Sequence, residues 1–240
     1  MKKIKLFCLP YAGGSAMVYN RWREYTDPAI EIVPVELAGR GARMNEPFYA
    51  DIRHAAHDVK HFIKKEAAGG SYALFGHSMG GLIAYLVARE LEDQEFPPAA
   101  HLFISGTGAP HIARNDKKYH VMEEGEFRKE VLSLGGTPTE LFEYPELLEL
   151  FLPLLRNDFR LVEQYVPAEV IRPLEKEITI LFGKDDDLKP DECDGWKMHT
   201  TQVCRMYHFA GGHFFIQDEM EKITHLINTT LCHSPILQQY

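Results

Sequence analysis

Gly76-His77-Ser78-Met79-Gly80-Gly81 sets a serine in the pattern G-x-S-x-G. A serine hydroxyl is a weak nucleophile until a neighbouring base takes its proton. An elbow of this kind helps by holding the serine in a sharp strand-to-helix turn with its hydroxyl exposed, and small neighbours at Gly76 and Gly80 let the chain pass closely on both sides. The free N–H groups of the following helix then face any negative charge that develops. Where such elbows act, the partners follow in the chain order serine, acid, histidine. The chain has 12 histidines, so the base must be chosen by position. His213 lies after the last predicted strand, in Phe209-Ala210-Gly211-Gly212-His213-Phe214-Phe215. There two glycines permit a sharp turn, and an aromatic pair can anchor the loop. His208 falls inside that strand and His225 inside a helical pattern with Ile223 and Ile227, which suits packing or surface roles.

The acid is expected after the preceding strand, in Gly183-Lys184-Asp185-Asp186-Asp187. Consecutive side chains point in different directions, so one aspartate can orient the histidine while the others are solvated. The loop must first leave the strand through Gly183, which favours Asp186 over Asp185. A magnesium site is the rival reading of three aspartates, but no second carboxylate cluster or phosphate loop accompanies it. An oxyanion needs two backbone donors: Met79 N–H, just after the nucleophile, and one from the loop Pro10-Tyr11-Ala12-Gly13-Gly14-Ser15, where Ala12 is the candidate. That loop lacks both G-x-G-x-x-G and the lysine of a phosphate-binding loop. His54, His57 and His61 could suggest a metal, but their helical angles turn them away from the apolar stripe of their helix and toward solvent. No metal or diffusible cofactor is expected.

These residues need a scaffold that brings distant loops to one edge. Short apolar runs at Ile4 to Leu9, Glu31 to Leu37, Tyr72 to Phe75, His101 to Ser105, Ile178 to Phe182 and Val203 to Phe209 read as strands. Helical patterns lie between most of them. The segment from Asp51 to about Glu66 places Ile52, Ala55, Ala56, Val59, Phe62 and Ile63 on one face, and Leu82, Ile83, Leu86, Val87 and Leu91 do the same after Ser78. Such alternation predicts a mostly parallel central sheet with helices on both faces, and with the elbow it predicts an α/β-hydrolase fold. From about 107 to 173 no strand is expected. That segment reads as a helical insertion, positioned to serve as a lid, within one domain spanning 1–240.

The whole chain fits one such domain: 240 residues are enough to bury a core without staples. A net charge of −9 argues against a general nucleic-acid binder or broad adhesion to an acidic membrane. Cys8, Cys193, Cys204 and Cys232 form no C-x-x-C pair and have no metal-finger spacing, and each reads as a reduced thiol in a reducing compartment. The basic start at Met1-Lys2-Lys3 precedes too short an apolar run for a signal peptide, and no stretch approaches a membrane span, so a cytoplasmic protein is expected. The tail Ser234 to Tyr240 is expected to fray.

Together the motifs resemble the type II thioesterases that accompany nonribosomal peptide and polyketide synthetases. The matching pieces run in order: Leu9-Pro10-Tyr11-Ala12-Gly13-Gly14, Glu36-Leu37-Ala38-Gly39-Arg40-Gly41, Phe75-Gly76-His77-Ser78-Met79-Gly80-Gly81, Leu134-Gly135-Gly136-Thr137-Pro138, Leu152-Pro153-Leu154-Leu155-Arg156-Asn157-Asp158, Phe182-Gly183-Lys184-Asp185-Asp186, Asp194-Gly195-Trp196 and Phe209-Ala210-Gly211-Gly212-His213-Phe214-Phe215. Asn157 departs from the small residue usual at its place. The resemblance implies an editing enzyme that removes wrong or stalled acyl groups from the phosphopantetheine arm of acyl- or peptidyl-carrier proteins. It also implies a triad of Ser78, Asp186 and His213, and a monomer is expected. A free-standing carboxylesterase or lipase would share all three residues and differ in preferring small esters. A non-catalytic binding protein would not need nucleophile, acid, base and oxyanion loop together. Arg114, Lys117 and Lys118, the densest basic group in the insertion, are the candidates for meeting an acidic carrier protein.

Overall fold

The structure, a computed structural model, describes residues 3–94, 96–112, 118–136 and 144–232. Six strands, β1 (Ile4–Leu9), β2 (Ile30–Pro34), β3 (Tyr72–His77), β4 (Leu102–Ser105), β5 (Ile178–Gly183) and β6 (Cys204–Phe209), form one sheet in the order β2-β1-β3-β4-β5-β6. Every neighbouring pair is parallel. The helices are α1 (Ile52–Ala67), α2 (Met79–Glu92), α3 (Glu124–Leu134), α4 (Pro145–Glu163), α5 (Pro190–Asp194), α6 (Phe215–Asp218) and α7 (Met220–Cys232). No helix among the described residues is long and apolar enough to cross a membrane.

Both faces of the sheet are covered, which is why its central strands read as continuous apolar runs. Alternate residues of one strand enter opposite cores. Phe7 and Leu9 of β1, with Tyr72 and Leu74 of β3, pack under α1 and α2. Leu6 and Cys8, with Ala73 and Phe75, pack on the other face against Tyr19, Trp22, and Ile223 and Ile227 of α7. β2 was predicted to reach Leu37 but ends at Pro34, which has no N–H for the ladder. The chain leaves the strand there with Val35 N–H donating to the Cys8 carbonyl.

Asp51 caps α1 by accepting from His54 N–H at 2.8 Å, and Ile52, Ala55, Ala56, Val59 and Ile63 are buried as their spacing predicts. Phe62 sits at the border of that stripe, 36% exposed and edge-on to Phe7. His54, His57 and His61 face solvent. Lys60 was not anticipated in the core. It is buried along its stem and reaches Glu90 on α2 at 2.7 Å.

Between β4 and β5 the described residues hold α3 and α4 and no strand. Phe127 and Val131 of α3 pack with Leu148, Leu152 and Leu155 of α4 in a small core of their own. Arg114, Lys117, Thr137 and Pro138 lie outside the described residues, as does the tail Ser234 to Tyr240.

His101, at the foot of β4, is buried with its Nε2 2.8 Å from Thr179 Oγ1. Burial pulls it down to about 4, and His199 is likewise held at about 4 by burial and by nearby His111. An unfolded histidine titrates near 6.5. The unfolded chain therefore binds more protons between these values, and the stability that neutral His101 contributes is full above about pH 6.5 and lost as pH falls toward 4. The melting temperature is expected to drop across that window, and His101→Asn should flatten part of the drop. An unchanged slope in His101→Asn would remove His101 from the acid limb.

Candidate active site

The predicted site residues all lie just beyond the C-terminal ends of parallel strands. After β1 the chain runs outward to β2, then returns to place β3 on the other side of β1. This reversal opens a crevice between the two strand ends, the usual binding position in open α/β sheets. The loop carrying Ala12 leaves β1 there, and the elbow carrying Ser78 leaves β3 beside it, with Leu9 and Gly76 paired in register.

Ser78 has φ +54° and ψ −117°, a conformation that costs a non-glycine residue about 1–3 kcal/mol. Its N–H is held by the Ser105 carbonyl at 2.7 Å. A Cβ on Gly76 would come within 2.1 Å of the Gly80 carbonyl oxygen, and one on Gly80 within 2.3 Å of the Leu9 carbonyl oxygen. The two glycines therefore let α2 start tightly against β3 and β1, with the serine thrown out between them.

His213 Nε2 lies 3.0 Å from Ser78 Oγ, and His213 Nδ1 lies 3.0 Å from Asp186 Oδ2. The Asp186 side chain is 7% exposed and that of His213 28%. Asp185 and Asp187 are exposed. Backbone bonds tie the acid loop to the histidine loop: Lys184 N–H to Phe209 carbonyl at 2.9 Å and Asp185 N–H to Gly211 carbonyl at 3.0 Å. A Cβ on Gly183 would strike the Gly212 carbonyl oxygen at 2.3 Å, so this glycine allows the two loops to touch. Phe214 and Phe215 anchor the turn: Phe215 stacks on Phe209, and Phe214 stands edge-on to Tyr11. His208 is exposed on edge strand β6 and His225 is exposed on α7.

Two unpredicted groups support this arrangement. His77, fully buried beneath Ser78, sets its Nδ1 2.9 Å from Ser105 Oγ and packs against the rings of His213, Phe214 and Phe215. Burial, then the proximity of His213, holds it well below the ordinary histidine range, so it stays neutral beside the outer imidazole. Arg40 and Asp158 form a buried two-pronged pair, with guanidinium nitrogens at 2.8 Å from each carboxylate oxygen. In the sequence these two were visible only as members of the G-R-G and L-R-x-D pieces. Asn157, the departure in the second piece, accepts from Arg160 at 2.7 Å on the helix surface.

Gly14 N–H donates to the Tyr11 carbonyl at 2.9 Å, closing a turn over Ala12 and Gly13. Gly13 has φ +75°, the left-handed value that the third position of such a turn reserves for glycine. Met79 is the first residue of α2, where a helix leaves its N–H unpaired. Among the described residues, neither the Met79 nor the Ala12 N–H donates to a protein acceptor. Residues from the insertion border the same loops: a Cβ on Gly13 would meet Leu155 and Phe151 of α4, and one on Gly136 would meet the Phe214 ring.

A parallel α/β sheet with a Ser–His–Asp constellation at its strand ends defines the α/β-hydrolase class. Within it the chain belongs to the thioesterase family: the Thioesterase domain profile matches residues 4–231. ClbQ from the colibactin NRPS/PKS pathway is 36% identical with a TM-score of 0.92, over 98% of this chain and 100% of that one. The type II thioesterase BorB from the borrelidin biosynthetic cluster is 31% identical with a TM-score of 0.86, over 95% of this chain and 93% of that one. Linear gramicidin dehydrogenase LgrE of Brevibacillus parabrevis is 35% identical over 233 residues, 95% of this chain and 88% of its own length. Here the loop after β1 reads Pro10-Tyr11-Ala12-Gly13-Gly14-Ser15 and has no G-x-G-x-x-G. The expected resemblance to type II thioesterases therefore holds, and the chain is a thioester hydrolase.

Proposed function

We propose that this enzyme clears wrong or stalled acyl groups from the phosphopantetheine thiol of acyl- or peptidyl-carrier proteins through a Ser78 acyl-enzyme. The observation that carries this reading is the continuous chain Ser78 Oγ, His213, Asp186, with both contacts at 3.0 Å. Asp186 accepts from His213 Nδ1–H, which leaves Nε2 free to take the Ser78 proton. Ser78 Oγ attacks the thioester carbonyl carbon, and the oxyanion is met by the N–H groups of Met79 and Ala12. The tetrahedral intermediate expels the pantetheine thiol, which receives the proton from His213. His213 then activates a water to cleave the acyl ester and restore Ser78.

The segment from 107 to 173 acts in this reading as a lid within a single domain. Support comes from α4 side chains Phe151 and Leu155 against the Gly13 turn, and from Gly136 against Phe214. Leu147 and Leu150 of α4 remain exposed and are available to a carrier protein or an acyl chain. Lys118 in the insertion is exposed and can meet the acidic face of a carrier.

The test is a direct comparison of one acyl group on two handles. An acyl-carrier protein thioester is expected to be hydrolysed with a kcat/KM at least about tenfold above that of the p-nitrophenyl ester of the same acid, since binding energy from the carrier and pantetheine adds to the reacting end. Faster turnover of the ester, with the carrier thioester left intact, would instead assign a free-standing esterase.

A further inference from the structure

Asp158 sits on α4, 0% exposed, and makes three bonds whose partners all belong to other parts of the chain. Its Oδ2 accepts from Gly13 N–H at 2.8 Å and from Arg40 at 2.8 Å, while Oδ1 accepts from the second guanidinium nitrogen at 2.8 Å. Arg40, 4% exposed, also donates to the Gly14 carbonyl at 2.9 Å. The pair therefore grips the turn after β1 from both sides, by an N–H at Gly13 and a carbonyl at Gly14. Gly13 N–H belongs to the peptide that Ala12 begins, so the grip fixes the plane next to the Ala12 N–H. The turn's own bond, Gly14 N–H to the Tyr11 carbonyl, is compatible with either of two orientations of the central Ala12–Gly13 peptide, and the bond from Gly13 N–H to Asp158 holds the one in which Gly13 has φ +75°.

The surrounding contacts make the grip a link to the insertion. The C-terminal half of α4 is held down by Arg160, which donates to the carbonyls of Tyr49 and Ala50. Pro153 interrupts the α4 hydrogen-bond ladder ahead of Asp158, and a proline removes one ladder bond and favours a bend. The half of α4 before Pro153 carries the exposed Leu147 and Leu150. Asp158 and Leu155 after Pro153, and Phe151 before it, all meet the Gly13 turn, so α4 is docked there along its middle.

We propose that Arg40 and Asp158 are positioning residues for the reaction: they hold the Pro10–Ser15 turn in the shape that aims the Ala12 N–H at the oxyanion, and through Asp158 make that shape depend on α4 being in place. This rests on the Ser78 acyl-enzyme reading above. A salt bridge kept only for stability behaves differently, because a buried ion pair replaced as a whole by apolar side chains often leaves a fold as stable as before, whereas breaking one partner leaves a buried charge unpaired. Activity and stability therefore separate in a chosen set of variants.

The set is Asp158→Asn, the paired Arg40→Met/Asp158→Leu, and Ser78→Ala as a control. Asp158→Asn keeps a side-chain oxygen for Gly13 N–H but leaves Arg40 without its counter-charge. The paired variant removes the buried charges together with the side-chain bonds to Gly13 N–H and the Gly14 carbonyl. We expect the paired variant to melt at or above the temperature of Asp158→Asn, yet to have the lower kcat: about 10²-fold below wild type, as for loss of one oxyanion donor, against about tenfold for Asp158→Asn. KM for a small acyl-pantetheine should stay within about threefold in both. A trifluoromethyl ketone analogue, which forms a tetrahedral adduct on the serine, should bind the paired variant more weakly in proportion to the loss in kcat/KM, while the matching methyl ketone binds as before. If activity instead follows stability, or the paired variant keeps kcat within about threefold of wild type, the pair is a structural strut and the proposal falls. If Asp158→Asn folds too poorly to assay, the kcat and analogue affinity of the paired variant decide alone. If the paired variant does not fold either, the pair is a strut and the proposal falls. A Ser78→Ala enzyme with near-normal turnover would overturn the acyl-enzyme reading itself, an outcome that the Asp158 variants do not mimic.

Discussion

Ser78→Ala is expected to lower thioester turnover by about 10⁴- to 10⁶-fold, the range seen when a serine hydrolase loses its nucleophile but keeps its binding site. The loss should fall on kcat, because in the proposed mechanism the hydroxyl forms a bond in the transition state and contributes little to holding the substrate. The fold should survive. Ser78 N–H keeps its bond to the Ser105 carbonyl, Gly76 and Gly80 keep the close approach of α2, and alanine tolerates φ +54° about as poorly as serine does. A melting temperature close to wild type would therefore accompany the dead enzyme. Incubation with an acyl-pantetheine and mass measurement of the intact chain reads the same point independently: wild type should gain the mass of one acyl group during turnover and Ser78→Ala none. An acylated Ser78→Ala chain, or near-normal turnover, would place the nucleophile elsewhere.

The parts of this site legible in the sequence are those that a short stretch of chain determines. The elbow announces itself because a strand, a serine between glycines and an amphipathic helix fall within about twenty residues. His213 stands out by its two preceding glycines, and Asp186 by its distance from Gly183; both loops are now seen bonded to each other through their backbones. The parts not legible are pairings across long separations. Arg40 and Asp158 are 118 residues apart, and each alone reads as a surface charge until the sheet order and α4 bring them together. Lys60 follows the same logic, since the helical stripe of α1 gives no hint that Glu90 of α2 waits opposite. His77 shows a different limit. It occupies the variable position of the elbow motif, where only the tertiary packing of Ser105, Gly106 and the histidine loop turns it into a buried support. Pro153 shows how context overrides propensity: α4 runs through it because packing of Leu148, Leu152 and Leu155 offsets the lost hydrogen bond.

Asp186→Asn is expected to lower kcat by about 10⁴-fold, while Asp185→Asn and Asp187→Asn each stay within about threefold of wild type. The difference follows from what the carboxylate does. In the proposed mechanism it holds the imidazole with Nδ1 protonated, so that Nε2 is the proton acceptor facing Ser78, and it stabilises the imidazolium once that proton has arrived. An asparagine fits the same space, but its amide can present N–H to Nδ1, selecting the wrong tautomer, and it carries no charge to stabilise the cation. Only Asp186 stands in the right place: its Oδ2 is 3.0 Å from Nδ1 and its side chain is shielded from water, whereas its two neighbours are exposed. Exposed charges near the site act through water and salt, and their loss shifts rates only slightly. The measurement is single-turnover hydrolysis of one acyl-pantetheine by the three variants at fixed ionic strength, with circular dichroism to show equal folding. If Asp185→Asn proved the most damaged, the loop would have to rearrange on substrate binding so that Gly183 delivers the first aspartate to His213. Equal damage in all three would mean that the loop contributes its summed charge and that no single carboxylate orients the base.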